Sequence, residues 1–192
     1  MHKAKITSFP FLVQMNFMIS DFNLLATTAR GNEKAMTHEI VYLLKDEIGD
    51  AEAKASKTKI RGLIVAKTAL DPIAVIEKFR SILTERPYMF RYALRIVPIQ
   101  RVVPTDLEEI KKATAELATK IGETQSFRVT VEKRFTELHT KDLIEAAVGD
   151  IKARVDLKNP DWVIQVEVLG ALTGVSLIHP NDVLGVVKEK IL

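Results

Sequence analysis

Arg128, Thr130 and Arg134 stand at even spacing in the run Ser126-Phe127-Arg128-Val129-Thr130-Val131-Glu132-Lys133-Arg134. In an extended chain that spacing buries Phe127, Val129 and Val131 and turns two guanidiniums and a hydroxyl to the other face. Such a row suits phosphate or ribose oxygens, which accept directed, charge-assisted hydrogen bonds. Lys133 and Arg134 emerge where the strand ends. Glu132 shares the face, so pairing with Arg128 or Arg134 is the competing use of the same charges. Arg91 and Arg95 make a shorter row on another strand. Lys54, Lys57, Lys59, Arg61 and Lys67 form the densest basic patch, with Glu52 nearby. Two uses fit that patch: contact with phosphates, or lysines guarding a sheet edge against pairing. Arg30 projects from a turn beside a predicted helix N-terminus, where unsatisfied N–H groups favour anions.

Other chemistry has no constellation to perform it. The sequence holds no cysteine, which removes disulfides, thiolate metal sites, iron–sulfur clusters and a cysteine nucleophile together and fits a reducing, cytoplasmic setting. His2, His38, His139 and His179 lack metal-ligand spacing, so no metal is expected. The glycines form neither a dinucleotide fingerprint nor a phosphate loop, and Gly170-Ala171-Leu172-Thr173-Gly174 reads as a hairpin turn. Carboxylate pairs such as Asp46-Glu47 and Glu108-Glu109 fall on predicted helix surfaces, where solvated charge is their ordinary role. The expectation is a chain without catalytic residues or cofactor, hence not an enzyme.

The elements that must position these residues follow from periodicity and punctuation. Phe22–Thr27 reads as a strand, and Gly31-Asn32 as a turn with Asn32 capping a helix that Gly49 closes. Residues 51–57 and 59–67 read as two strands joined by a tight turn, and Asp71-Pro72 opens a second helix. Residues 90–97 alternate and read as a strand with Phe90, Tyr92, Leu94 and Ile96 on one face. This β-α-β-β-α-β order is that of a ferredoxin-like unit over residues 20–97. Pro98–Pro104 is the connector. A capping box with Thr105 as N-cap and Glu108 opens a helix to about Ile121. Then come a strand at 127–133, a helix capped by Thr140 running to about Lys152, the strand 162–169 and its hairpin partner 172–178. Asn181 or Asp182 caps a last helix through Lys190. The predicted class is α+β, with a second α/β domain over 98–192.

The chain has 192 residues, 47% hydrophobic and 28% charged, a globular balance with material for two modest cores. Its net charge of +3 lies in the first half: residues 1–88 carry 13 Lys and Arg against 10 Asp and Glu, while residues 89–192 carry 15 of each. No apolar run reaches the length of a membrane-spanning helix. Residues 1–19 read as a loosely ordered N-terminal extension, with Met15 or Met18 as alternative starts.

Phe127-Arg128-Val129 leading to Lys133-Arg134, the helix near Thr140, and Val155-Asp156-Leu157-Lys158-Asn159-Pro160-Asp161 ahead of an apolar strand resemble a THUMP domain, an RNA-binding module of tRNA-modifying enzymes. Thr27–Glu33 and Phe90-Arg91-Tyr92 through Ile96-Val97-Pro98 are similar to stand-alone THUMP proteins that serve as adaptors for tRNA cytidine acetylation. The resemblance spans about residues 20–185. It implies a ferredoxin-like domain followed by a THUMP domain, a grip on the acceptor end of tRNA, and catalysis supplied by a separate cytidine acetyltransferase; a chain ending at Leu192 agrees with the adaptor branch. The RNA contacts it suggests, joined to the rows above, are Arg30, Arg128, Thr130, Lys133, Arg134, Lys158 and Asn159. A small-molecule sensor, an enzyme-accessory subunit and a purely structural interaction protein remain the competing readings, because one fold hosts many functions.

Overall fold

The computed structural model describes residues 20–190; the extension expected over residues 1–19 lies outside them. Two five-stranded sheets carry the α+β fold. In the first, β1 (Leu24–Thr27) pairs antiparallel with both β3 (Leu63–Lys67) and β4 (Arg95–Pro98), and β2 (Lys54–Lys57) pairs with β3 at the edge. A strand with layers on both faces must be apolar throughout, and Leu24, Leu25 and Ala26 are all buried. Helices α1 (Glu33–Tyr42) and α2 (Pro72–Glu85) cover one face, packing Met36, Ile40, Val75, Ile76 and Phe79 on Leu24, Ala26, Ile64 and Ile96. The start of α2 follows the sequence signal: Pro72 occupies its first turn and Asp71 Oδ1 accepts the Ala74 N–H at 2.9 Å.

Several expected boundaries move, each for a visible reason. The helix expected to reach Gly49 widens into a π-helical turn over Leu43–Glu47, which turns the adjacent Leu43 and Leu44 both into the core. The strand expected over 90–97 is β4 alone. The Glu39 carboxylate collects the N–H groups of Arg91, Tyr92 and Ala93 at 2.7, 3.0 and 2.9 Å, satisfying amides that a strand would pair with a neighbour, and Leu94 is left exposed. The turn between β2 and β3 spans five residues, organised by the Thr58 hydroxyl, which accepts the Ile60 N–H at 3.0 Å.

The second sheet runs β5-β9-β8-β6-β7, with β6 (Ser126–Arg134) parallel to β7 (Arg154–Val155) and β8 (Trp162–Leu169). β9 (Leu172–Ile178) is the hairpin partner of β8 across Gly170, as expected. The segment read as a connector is largely β5 (Arg101–Pro104), an edge strand on β9, where prolines at strand ends are tolerated. Helix α3 (Leu107–Ala118) is capped by Asp106, which accepts from Glu108 and Glu109; the expected cap, Thr105, bonds the Thr173 hydroxyl instead, at 2.8 Å. Helix α4 (Thr140–Val148) starts after His139 rather than by a Thr140 cap and ends at Gly149. Together α3 and α4 bury Ile110, Leu117 and Leu143 on Ile164, Val166 and Val168.

The C-terminal segment returns to the first sheet, which the sequence does not announce. β10 (Leu184–Gly185) pairs with β4, and α5 (Val186–Glu189) follows; the helix expected from Asn181 or Asp182 is therefore shorter, and Asp182 accepts the His179 N–H at 2.7 Å instead. Arg80 of α2 anchors the return through Glu189 at 2.8 Å and the Asn181 carbonyl at 2.6 Å. The faces that carry no helices meet: Leu25, Leu63, Val65, Val97 and Ile99 pack with Leu169, Val102 and Leu172 across the two sheets.

Candidate nucleic-acid interface

Of the seven predicted contacts, three come together. Arg128, Lys158 and Asn159 meet at the corner where β6 receives residues 155–161, and the Arg128 guanidinium donates to the Leu157 carbonyl at 3.2 Å. Two aspartates build that corner. Asp156 accepts the N–H groups of Lys158 and Asn159, both at 3.0 Å, closing an Asx turn. Asp161 accepts from the Ser126 N–H at 2.7 Å and hydroxyl at 2.8 Å, stapling the turn to β6. Those backbone donors hold the Asp156 carboxyl below its usual range, and the Ser126 amide and hydroxyl do the same to Asp161. The D-x-x-x-x-D spacing in the run is thus explained by folding, while exposed Leu157, Lys158 and Asn159 are what it displays.

The other end of β6 departs from expectation. Six residues of strand put Arg134 roughly 20 Å from Arg128. Its guanidinium donates to Glu167 Oε2 at 2.9 Å, and Arg95 of β4 donates to Oε1 of the same carboxylate at 3.0 Å. Gln165 adds a third bond at 2.8 Å, and Glu167 has no exposed surface. Arg95 therefore joins the two sheets through Glu167, while Arg134 braces that carboxylate from within its own sheet; its partner is Glu167, not Glu132. The reason lies in register: Glu132 and Glu167 are cross-strand partners, but β8 is the inner strand and buries its carboxylate against β4. Lys133 donates to the Leu138 carbonyl at 2.8 Å, and Thr130 is half-buried beside Gln165.

Arg30 is exposed next to α1, but the amides near it are already engaged. Glu33 accepts from Gly31 at 3.1 Å and from Gly62 at 2.6 Å, an arrangement that holds its carboxyl below the ordinary range, while the expected cap Asn32 makes no side-chain capping bond. Gly62 is required there: φ is +77° and a Cβ would lie 2.8 Å from the Thr28 carbonyl oxygen.

A groove of about 1010 Å³ runs between the halves, lined by Lys34, Thr37 and His38 of α1, by residues 55–60, and by Phe135 with Leu169–Leu172. It draws Lys57 and Lys59 of the basic patch to the end of β6. Nothing in the local pattern of Phe135 or Lys34 marks them, and His38 stood out only as a histidine without metal-ligand spacing. Among the described residues no group of histidines and carboxylates is arranged to hold a metal ion, and no helix is long and apolar enough to cross a membrane.

This architecture defines a class, two α/β layers joined sheet to sheet, and the comparisons agree with it. Residues 104–178 match the family model described as the THUMP domain, so the chain carries a THUMP domain, a module that implies RNA binding. No curated protein matches the chain. Among solved structures, PH1313 from Pyrococcus horikoshii Ot3 is similar over 83% of this chain and 55% of its own, at 20% identity and a TM-score of 0.59. TrmN from Thermus thermophilus is similar over 82% of this chain and 45% of its own, at 20% identity and a TM-score of 0.53. A possible methylase from Clostridium difficile 630 covers 84% of this chain and 42% of its own, at 16% identity and a TM-score of 0.52. At these identities the likeness is one of fold, and this chain spans between 42% and 55% of those proteins' lengths.

Proposed function

We propose that this protein binds tRNA at its acceptor end and presents it to a separate modification enzyme, a cytidine acetyltransferase, without catalytic residues of its own. The observation that carries the reading is the THUMP domain over residues 104–178, joined to a β-α-β-β-α-β half with strand order β4-β1-β3-β2. That order is the one expected of a ferredoxin-like unit, and on this reading residues 20–97 are the ferredoxin-like domain and 98–192 the THUMP domain, working in the cytoplasm. An open groove between the halves, lined by Lys34, Lys57 and Lys59 and by no carboxylate, supports a polyanionic partner over a small-molecule sensor. Arg128, Lys158 and Asn159 remain RNA contacts in this reading, with Arg30 and Lys133 at its margins and Thr130 and Arg134 as supports. Sequencing of tRNA modifications from a strain lacking the gene tests it. Loss of acetylcytidine is the expected result, and an unchanged modification profile overturns the adaptor role. Filter binding of tRNA that is insensitive to salt overturns RNA-phosphate recognition altogether.

A further inference from the structure

Phe135 directly follows the last residue of β6, and its φ of +54° places a bulky L-residue in the left-handed region; among the described residues no other non-glycine has a positive φ. Such a conformation is strained for an aromatic residue and natural for Gly or Asn. Burial does not compensate, because Phe135 is 77% exposed. A ring that is strained in its backbone and left in water has no evident role in folding. Its position is nevertheless held: the Gly170 N–H donates to the Arg134 carbonyl at 2.9 Å, clamping the end of β6 against the β8–β9 turn. The clamp stands the ring in the groove that Lys34, His38, Lys57 and Lys59 also line. Lys57 feels the charge of Glu33, yet that carboxylate accepts its hydrogen bonds from the Gly62 and Gly31 N–H groups and leaves the ammonium groups to solvent.

We propose that this groove takes an unpaired stretch of RNA, with one base stacked on Phe135 and flanking phosphates against Lys34, Lys57 and Lys59. The proposal rests on the RNA-binding reading above and gives it a location distinct from the corner at Arg128 and Lys158. An exposed ring needs a free base face, which a single strand offers and a duplex hides inside its own stack. The lysines then meet the backbone, a combination of stacking platform and basic groove that single-strand binders share. An acidic peptide would use the lysines but has no need of a strained, solvent-facing ring.

The test is fluorescence anisotropy with the full chain, a labelled single-stranded RNA of about ten nucleotides, a duplex of the same composition and a glutamate-rich peptide. The single strand is expected to bind more tightly than the duplex. Phe135→Ala and Phe135→Gly should each weaken it about tenfold, and Phe135→Trp should restore it. Phe135→Gly should meanwhile leave Tm unchanged or raise it, because glycine accepts this φ, so lost binding cannot be ascribed to lost folding. Binding by Phe135→Ala within about twofold of native, or Phe135→Leu performing as well as Phe135→Trp, overturns the proposal. Tighter binding of the peptide than of RNA, abolished by Phe135→Ala, assigns the groove to an acidic protein segment instead. A native chain that binds no RNA overturns both this proposal and the RNA reading. Binding that ignores Phe135 but falls with Arg128→Ala/Lys158→Ala removes this proposal alone.

Discussion

The corner at residues 155–161 and the groove at the far end of β6 are both basic, and they use their charges differently. At the corner, Arg128 is tied to the Leu157 carbonyl, Arg154 lies 3.6 Å from Asp156, and two carboxylates with lowered pKa bind backbone amides. Most of that polarity is occupied in holding a loop. In the groove, Lys34, Lys57 and Lys59 line an open channel with no carboxylate in its wall, beside an aromatic ring kept exposed at the expense of its backbone. Charge density alone does not separate the two; what each charge is already bonded to does. Between them, Arg134 shows the same lesson on one strand, because its guanidinium belongs to the joint between the sheets and not to a surface.

The comparison breaks most sharply at that joint. Glu167 is fully buried and held by Arg95 and Arg134, so Arg134→Ala should leave a half-paired carboxylate inside the protein and destabilise it by about 3 kcal/mol, read by urea unfolding. A loss in binding by this variant would then reflect the joint, whereas a loss in binding with stability unchanged would return Arg134 to the RNA surface.

Next in size is the dependence of tRNA affinity on salt. Replacing Lys34, Lys57 and Lys59 by Ala should make the log–log salt dependence shallower by about 2, since each single-strand phosphate contact contributes about 0.7. Arg128→Ala/Lys158→Ala should change it by less, no more than about 1.4. The opposite ranking would move the affinity to the corner.

The smallest effect separates the regions by acid. Glu33, Asp156 and Asp161 all sit below their ordinary pKa in the fold, so the stability they contribute is complete above the unfolded carboxylate range and drains as pH falls through about 4. Two of the three belong to the corner. Asp161→Asn should lower Tm at pH 7 and flatten its decline toward pH 3, whereas the Lys34, Lys57 and Lys59 replacements should leave the shape of that decline unchanged. Thermal denaturation across this pH range measures both; an Asp161→Asn decline parallel to the native one would show that the staple carries no acid sensitivity.

Much of the frame is readable in the residues themselves. Alternation in β6, the apolar run of β8, Pro72 at the start of α2 and Gly170 in the hairpin are local signals, and each predicted its element. Boundaries slipped where a distant side chain intervened. Glu39 took the amides of Arg91–Ala93 and delayed the start of a strand, and, closer by, Asp106 took the cap that Thr105 was expected to supply. The parity of Arg128, Thr130 and Arg134 on β6 was legible too, but the partners of those residues were not.

By itself, then, the sequence determined which stretches extend or coil and that each half has an apolar face for helices. These depend on neighbours a few residues apart. Only the tertiary structure decided that the bare faces of the two sheets meet, that Glu167 draws in Arg95 and Arg134, that β10 returns to β4, and that Phe135 lines one groove with Lys57 and Lys59. Those pairings join residues up to well over a hundred positions apart, where periodicity carries no information and only the packing of buried surface brings the groups together.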